Sequence, residues 1–318
     1  MGQKINPHIL RLGINNKEWN SKYLEKNIEE ATLYSYKDIQ IQQYITRFFY
    51  LIGLTIHTCN IRYSNNHLNL NISYYCTKKF VSLLQQLLFI NKYKILLKNN
   101  SFNPLFIKTL IKQPKKRLSI IKKFKKLLLV KNFKNNQIIN LNKFSNKFIT
   151  SLSLYFNKKL NINLIMDNLN KGLSLRLLND EAKLFRSLVL RLRKFSNSIF
   201  FKEAISVILI TIRKKNSARF LCTYIANELS YIKRHNYFLN FLKSSLILFI
   251  NSKLSKITGI KIIISGRFNG APRSKKKLIL IGNVPVQKLK VNIDYHETTS
   301  FTSNGTFGVK VWIAHKNN

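Results

Sequence analysis

Between Ile39 and Ile52 apolar side chains fall at Ile41, Tyr44, Ile45, Phe48, Phe49 and Ile52, a three-and-four spacing that lines one face of a helix, and Gly53 ends the run. The period then switches to two. Leu54–Tyr63 is rich in β-formers and Ser64-Asn-Asn66 supplies a turn. Leu68, Leu70, Ile72 and Tyr74 then alternate with Asn69, Asn71 and Ser73, which predicts a β-hairpin with one buried face. Helical spacing returns over Lys78–Leu88, so this part of the chain predicts a small layered α-β-β-α domain.

From about Asn91 to Lys215 the pattern loses clarity in Lys, Asn, Leu and Phe, with basic runs at Lys115-Lys-Arg117 and Lys122-Lys-Phe-Lys-Lys126. This span reads as an insertion with some amphipathic helix. Leu184, Leu188 and Leu192 stand four apart, and Asp180 and Glu181 suit a helix N-terminus. Its basic and aromatic residues could grip and stack on RNA, but its Leu and Phe positions read more strongly as helix core. Past Ser217, Leu221, Ile225, Leu229 and Ile232 share one helical face, and Phe238, Phe241, Leu242 and Phe249 share another, in one long helix or two. Strands are predicted at Ile260–Ile264, Leu278–Ile281, Leu289–Tyr295 and Phe307–Ile313. The pattern as a whole predicts an α/β (α+β) chain divided into an arm over 1–37, a small domain over 38–90, the insertion over 91–215 and a second α/β domain over 216–318.

Charge changes what such a fold must do. Lys and Arg number 55 against 12 Asp and Glu, a formal net charge of +43, and no acidic residue occurs between Asp38 and Asp167. A chain so self-repelling needs a polyanion, and nucleic acid is the natural one, because each phosphate neutralised by Lys or Arg releases condensed counterions. An anionic membrane is disfavoured: apolar stretches such as Ser244–Ile250 fall far short of the roughly 20 residues that span a bilayer. The first residues show no signal-peptide core or transit presequence, and Asn6 stands where a myristoylation signal wants Ser or Thr. Cys59, Cys76 and Cys222 match no zinc spacing and read as reduced, packed thiols.

Candidate chemistry is sparse. Asp294, His296 and Glu297 could serve acid–base work, but no nucleophile or phosphate-binding Gly-rich loop accompanies them, and a strand meeting a turn explains them better. Six scattered histidines form no metal cluster, and no cofactor is implied. The chain therefore reads as non-catalytic. More telling is Gly266-Arg-Phe-Asn-Gly270, followed by Ala-Pro-Arg273-Ser-Lys275-Lys-Lys277. Its glycines would let the backbone approach a sugar–phosphate chain, and five cations, Arg267, Arg273, Lys275, Lys276 and Lys277, lie within eleven residues. An ordinary solvated hairpin loop is the alternative.

The string Gly282-Asn-Val-Pro-Val-Gln-Lys-Leu-Lys-Val-Asn-Ile-Asp-Tyr295, with Gly305-Thr-Phe-Gly-Val-Lys-Val-Trp-Ile313, closely resembles the signature of the family of the third small-subunit ribosomal protein. Ile260–Ala271 resembles the strand and basic loop just before it in that family, and Met1–Pro7 with Arg11-Leu-Gly-Ile14 resembles the family's N-terminal arm. The resemblance implies a protein of the small-subunit head that binds ribosomal RNA through an arm, a type II KH domain and a C-terminal α/β domain. It also implies mRNA, at the channel by which message enters the subunit, and neighbouring head proteins as partners, with no membrane. RNA contacts are then expected from Lys4 and Arg11 in the arm, Lys78 and Lys79 after the hairpin, and Lys233, Arg234 and Lys243 on the helices. The loop cations Arg267, Arg273 and Lys275–Lys277, and Lys310 on the last strand, complete the set.

Two features depart from the family. A KH domain clamps nucleotides with a Gly-x-x-Gly loop between helices, yet the hairpin here runs into Thr77-Lys78-Lys79-Phe80, so the KH-like domain reads as degenerate, its third strand placed after the insertion. Gly305-Thr-Phe-Gly308 fits by spelling but precedes the final strand. The consecutive arginines that the family presents to message are reduced to Lys233, Arg234 and Lys243. The Asn/Lys/Ile-rich composition and the drift fit an organellar ribosome, mitochondrial before plastid. The competing readings are an organelle-encoded RNA-processing factor such as an intron maturase, which should carry a carboxylate motif that is missing, and a free-standing RNA-binding regulator.

Overall fold

The computed structural model describes residues 5–14, 19–25, 27–64, 66–83, 133–157, 160–170 and 177–316, with the backbone alone for 133–143. The chain divides into two compact units, Met1–Arg62 with Leu70–Lys78 and Ile165–Asn318, and Tyr63–Asn69 with Lys79–Leu164.

In the first unit a short helix, α1 (Pro7–Leu10), starts with proline at a position where its missing N–H costs nothing, and Asn6 Oδ1 caps it by accepting from the His8 amide at 2.9 Å. Two residues, β1 (Ser21–Lys22), run parallel to β2 (Leu54–Tyr63), Ser21 opposite Ile61. Helix α2 (Glu30–Ile52) ends as predicted at Gly53, whose φ of 85° closes a left-handed cap. It begins earlier than the pattern indicated: its first turns expose Leu33, Tyr36 and Ile39 and bury Asp38, so no apolar stripe announces them. Asp38 instead accepts a hydrogen bond from the Ser21 hydroxyl.

Strand β3 (His67–Cys76) buries Leu68, Leu70, Ile72 and Tyr74, the alternation predicted. The first sheet has the order β1-β2-β3-β4, its last strand being β4 (Asn161–Asn168). That strand lies inside the span expected to be an insertion, so the sheet resumes within residues 91–215 and not after them. Past β4, the Leu169 amide donates to the Tyr74 carbonyl at 2.9 Å, and Asn170 exchanges two hydrogen bonds with the Cys76 backbone. Residues 78–83 are helical; the rest of the helix expected to Leu88 lies outside the described residues, as do both basic runs at 115–117 and 122–126. The second unit contains α3 (Phe133–Tyr155), which buries Phe148 and Leu152 four residues apart.

The rest of the first unit comprises α4 (Asn179–Arg191), α5 (Phe201–Arg213), α6 (Ala218–Tyr231), α7 (His235–Ile250) and the strands β5 (Ile257–Gly266), β6 (Lys275–Gly282), β7 (Ile293–Thr302) and β8 (Gly305–His315). The second sheet is antiparallel throughout, ordered β6-β5-β8-β7, with α6 packed on β7 and β8 and α7 on β5 and β6. Helices α4 and α5 contribute Leu188, Ala204, Val207, Ile208, Ile210 and Ile212 to the same hydrophobic core as α6, α7 and the sheet. The boundary expected at 215/216 therefore gives way: the apolar residues of α5 belong to the C-terminal core.

The predicted helix of uncertain continuity is two helices, broken at residues 232–234. The predicted strand Leu289–Tyr295 is also corrected. Residues 289–292 turn, and β7 starts at Ile293 and carries His296 and Glu297 within it.

Candidate nucleic-acid interface

Strands β5 and β6 form a hairpin in which Lys275, Lys276 and Lys277 stand opposite Gly266, Ser265 and Ile264. Its connecting loop is fixed from below. Phe268 is buried, with its ring centroid 5.1 Å from Phe307 and 6.2 Å from His235. Asn269 and Gly270 take left-handed backbone angles, φ 53° and 76°, which Asn and Gly adopt at least cost. Gly266 has a different reason to be glycine: a Cβ there would come within 2.3 Å of the Phe307 ring. The two glycines thus serve packing and turning.

The loop is also tied to the start of α7. Arg234, at the cap position, offers no side-chain cap. Asn269 Oδ1 accepts from the His235 amide at 3.1 Å, and the Asn269 amide donates to His235 Nδ1 at 3.2 Å. Burial lowers the pKa of His235, favouring the neutral ring that this acceptor role requires. Lys277 lies 4.7 Å over the Phe268 ring and donates to Asn236 Oδ1.

The structure thus gathers into one surface two groups that the sequence separates: Lys233 and Arg234 between α6 and α7, and Arg267, Arg273, Lys275, Lys276 and Lys277 on the hairpin. All but Lys277 are exposed. Between Glu228 and Asp294 the chain has no acidic residue, and the ion pairs seen among the described residues lie elsewhere. Arg267 Nε donates to the Ala271 carbonyl at 2.8 Å, which orients its guanidinium from the loop. Lys243, also exposed, stands two turns further along α7.

Other expected RNA-binding residues sit elsewhere. Arg11 is corrected outright: it is fully buried, with Nε 3.0 Å from the Val291 carbonyl, Nη1 2.8 Å from that of Pro7, and Nη2 2.5 and 2.8 Å from those of Val286 and Lys288. Its donors face carbonyls of its own chain. Lys78 donates to the Ile199 carbonyl and lies 4.0 Å from Glu203, while Lys79 is exposed. Lys310 is on the sheet face that carries Lys261 and Trp312, and pairs with Glu297 at 3.1 Å. Lys4 lies outside the described residues.

The Asp294, His296 and Glu297 trio does not converge. In a strand neighbouring side chains point to opposite faces, so Asp294 and His296 face the helices and Glu297 the other side. Asp294 accepts from the Ala218 amide at 2.6 Å and so caps α6; burial raises its pKa. His296 is lowered to about 4, chiefly by burial and then by Arg219. Glu297 is lowered by the Tyr295 hydroxyl, which donates to it at 2.7 Å, and by Lys310. Among the described residues no group of His, Cys, Asp or Glu could hold a metal, and no helix is long and apolar enough to cross a membrane. None of the three cysteines, all among the described residues, is in a disulfide; Cys59 and Cys222 are buried and Cys76 partly so. His235, Asn236 and Asn269 were missed as contributors to the surface; the Asn-Gly pair at 269–270 was the one available signal, as a turn.

Residues 240–313 match the sequence model described as "Ribosomal protein S3, C-terminal domain". The chain is 51% identical over 59 residues to the small ribosomal subunit protein uS3c of Cyanidium caldarium, covering 19% of this chain and 28% of that one. It is 43% identical over 63 residues to the small ribosomal subunit protein uS3 of Fusobacterium nucleatum, covering 20% and 29%. With the small ribosomal subunit protein uS3c of Euglena longa the identity is 28% over 191 residues, covering 60% and 66%. For the first two relatives the match spans under a third of their length. The unit built from α7 and the second sheet is thus a ribosomal-protein domain of the S3 C-terminal type. Over the matched stretches the chain is similar to small ribosomal subunit proteins of the S3 family.

Proposed function

We propose that this chain is a structural, non-catalytic component of the small ribosomal subunit of an organelle, and that it binds ribosomal RNA through the surface formed by the α6–α7 turn and the β5–β6 hairpin. One observation carries the reading: exposed cations, in a stretch of sequence with no acidic residue, are mounted on a hairpin whose loop is held by Phe268, Asn269 and Gly270. Preorganised cations lose less freedom on meeting phosphates than the same cations on a loose chain. Lys79, Lys243 and Lys4 are proposed as further RNA-binding residues, and the helix-borne cations as ligands of mRNA where it enters the subunit, beside neighbouring head proteins. The KH-like role of the first sheet is proposed without a nucleotide clamp, because the sequence has no glycine between Gly53 and Gly172. The relatives named uS3c support an organelle, and their names favour the plastid over the mitochondrial compartment first expected.

Replacing Arg267, Arg273 and Lys275–Lys277 together with Ala is expected to flatten the salt dependence of binding to a small-subunit ribosomal RNA transcript. The slope should fall by about 0.7 to 0.9 for each phosphate that the variant no longer neutralises. An unchanged slope would remove this surface from the interface. Failure of the chain to co-sediment with small subunits at low salt would favour the free-standing regulator instead.

A further inference from the structure

Resting on that reading, we infer that Asn269 and His235 are positioning residues for RNA binding: they touch no ligand themselves but fix the loop cations and the α6–α7 cations relative to each other. Helix α7 starts without a cap of its own, its cap position being taken by Arg234, whose side chain accepts nothing. The first amide of the helix is satisfied instead from the hairpin loop by Asn269 Oδ1, 34 residues away. The return bond, from the Asn269 amide to His235 Nδ1, closes a reciprocal pair between helix start and loop tip. Arg267 is two residues before one partner and Arg234 one residue before the other. Neither cation can shift far while both bonds hold.

Two further interactions make the tie directional. The His235 ring packs against Phe307 at 5.0 Å and is hydrogen-bonded to the Leu229 backbone in the last turn of α6, so the ring joins α6, α7 and the loop. Lys277 meets Asn236, the next residue of the helix. With the tie broken, the loop remains anchored by Phe268, but the two cationic groups move independently. Fewer phosphates are then neutralised at once.

The test compares the full-length chain with Asn269→Gly, Asn269→Asp and the five-cation loop variant, measuring melting temperature and the salt slope of binding to the small-subunit RNA transcript. Asn269→Gly keeps the left-handed backbone and removes the acceptor, and should flatten the slope by about 1.4 to 1.8, equivalent to two phosphates. Asn269→Asp keeps the acceptor and should flatten it by no more than about 0.7 to 0.9, because its added negative charge offsets a single cation. A merely structural role would lower the melting temperature and leave the slope of the folded protein alone. His235→Leu, which keeps the helix amide but removes the ring acceptor and the ring's bond to Leu229, should flatten the slope by about 0.7 to 0.9, equivalent to one phosphate, and serves if Asn269→Gly fails to fold. If the loop variant flattens the slope while Asn269→Gly and His235→Leu do not, the positioning inference is overturned and the proposed interface stands. Equal flattening in Asn269→Gly and Asn269→Asp also overturns it. A loop variant with the parent slope defeats the interface itself.

Discussion

Arg11 and Arg267 stand in segments of the same written character, a cation close to glycine in a stretch resembling an RNA-reaching part of the family, yet the fold uses them in opposite ways. Arg11 is sealed in, its guanidinium facing carbonyls of Pro7, Val286, Lys288 and Val291. Arg267 projects from a loop in which the Asn269 amide donates to His235 Nδ1 and the Ala271 amide to the Phe268 carbonyl, and its Nε donates to the Ala271 carbonyl. What separates them is where the backbone finds its hydrogen bonds. Residues 286–291 turn without a partner strand, so their carbonyls need an external donor, and the five donors of one arginine suit a cluster of carbonyls better than any other side chain. The hairpin loop takes one bond from its arginine, through Nε, and leaves Arg267, Arg273, Lys275 and Lys276 exposed.

The largest expected effect breaks the Arg11 side of this contrast. Arg11→Ala leaves several carbonyls without their donor and should destabilise the chain by at least about 3 kcal/mol in chemical denaturation. Arg11→Lys, with a compact ammonium in place of the fork, should recover only part of that. Both should leave the RNA salt slope of the folded protein where it was; a flattened slope would return Arg11 to the interface. Next comes Gly266→Ala, which forces a methyl onto the Phe307 ring and should cost about 1 to 3 kcal/mol. That destabilisation would be seen as a lower melting temperature, and a neutral result would mean that the Phe268–Phe307 cluster has room to yield. The smallest effect is expected at Lys310. Its partner Glu297 is exposed, so Lys310→Ala should change stability by less than about 1 kcal/mol. Because that ammonium is already engaged, the salt slope should also fall by less than for Arg273→Ala, and a larger drop would extend the interface across the sheet.

Strong periodicity made part of this legible. The α2 stripe from Ile41 onward, the β2–β3 hairpin and the cores of α6, α7, β5, β6 and β8 follow directly from residues spaced at four or at two. Strand β4 was missed because Ile165 interrupts the alternation of Ile162, Leu164 and Met166 with Asn and Asp, in a region where Asn is abundant. Helix α5 was misassigned because composition around it resembles drift, although Ala204, Val207, Ile208, Ile210 and Ile212 are the interior of the C-terminal core. At the candidate interface the cations could be read directly. Their grouping could not, because it depends on an asparagine and a histidine 34 residues apart meeting through the tertiary fold. Arg11 failed for the same reason: burial by partners some 280 residues distant leaves no local trace.

That distance also orders events during synthesis. Except for Pro7, the carbonyls that Arg11 serves belong to residues made 275 to 280 positions later, so α1 has no complete docking site until Val291 has been made. A segment made some 280 residues ahead of its partners settles only when they have been made. Until then the guanidinium lacks the three carbonyls, of Val286, Lys288 and Val291, that hold it in the folded chain.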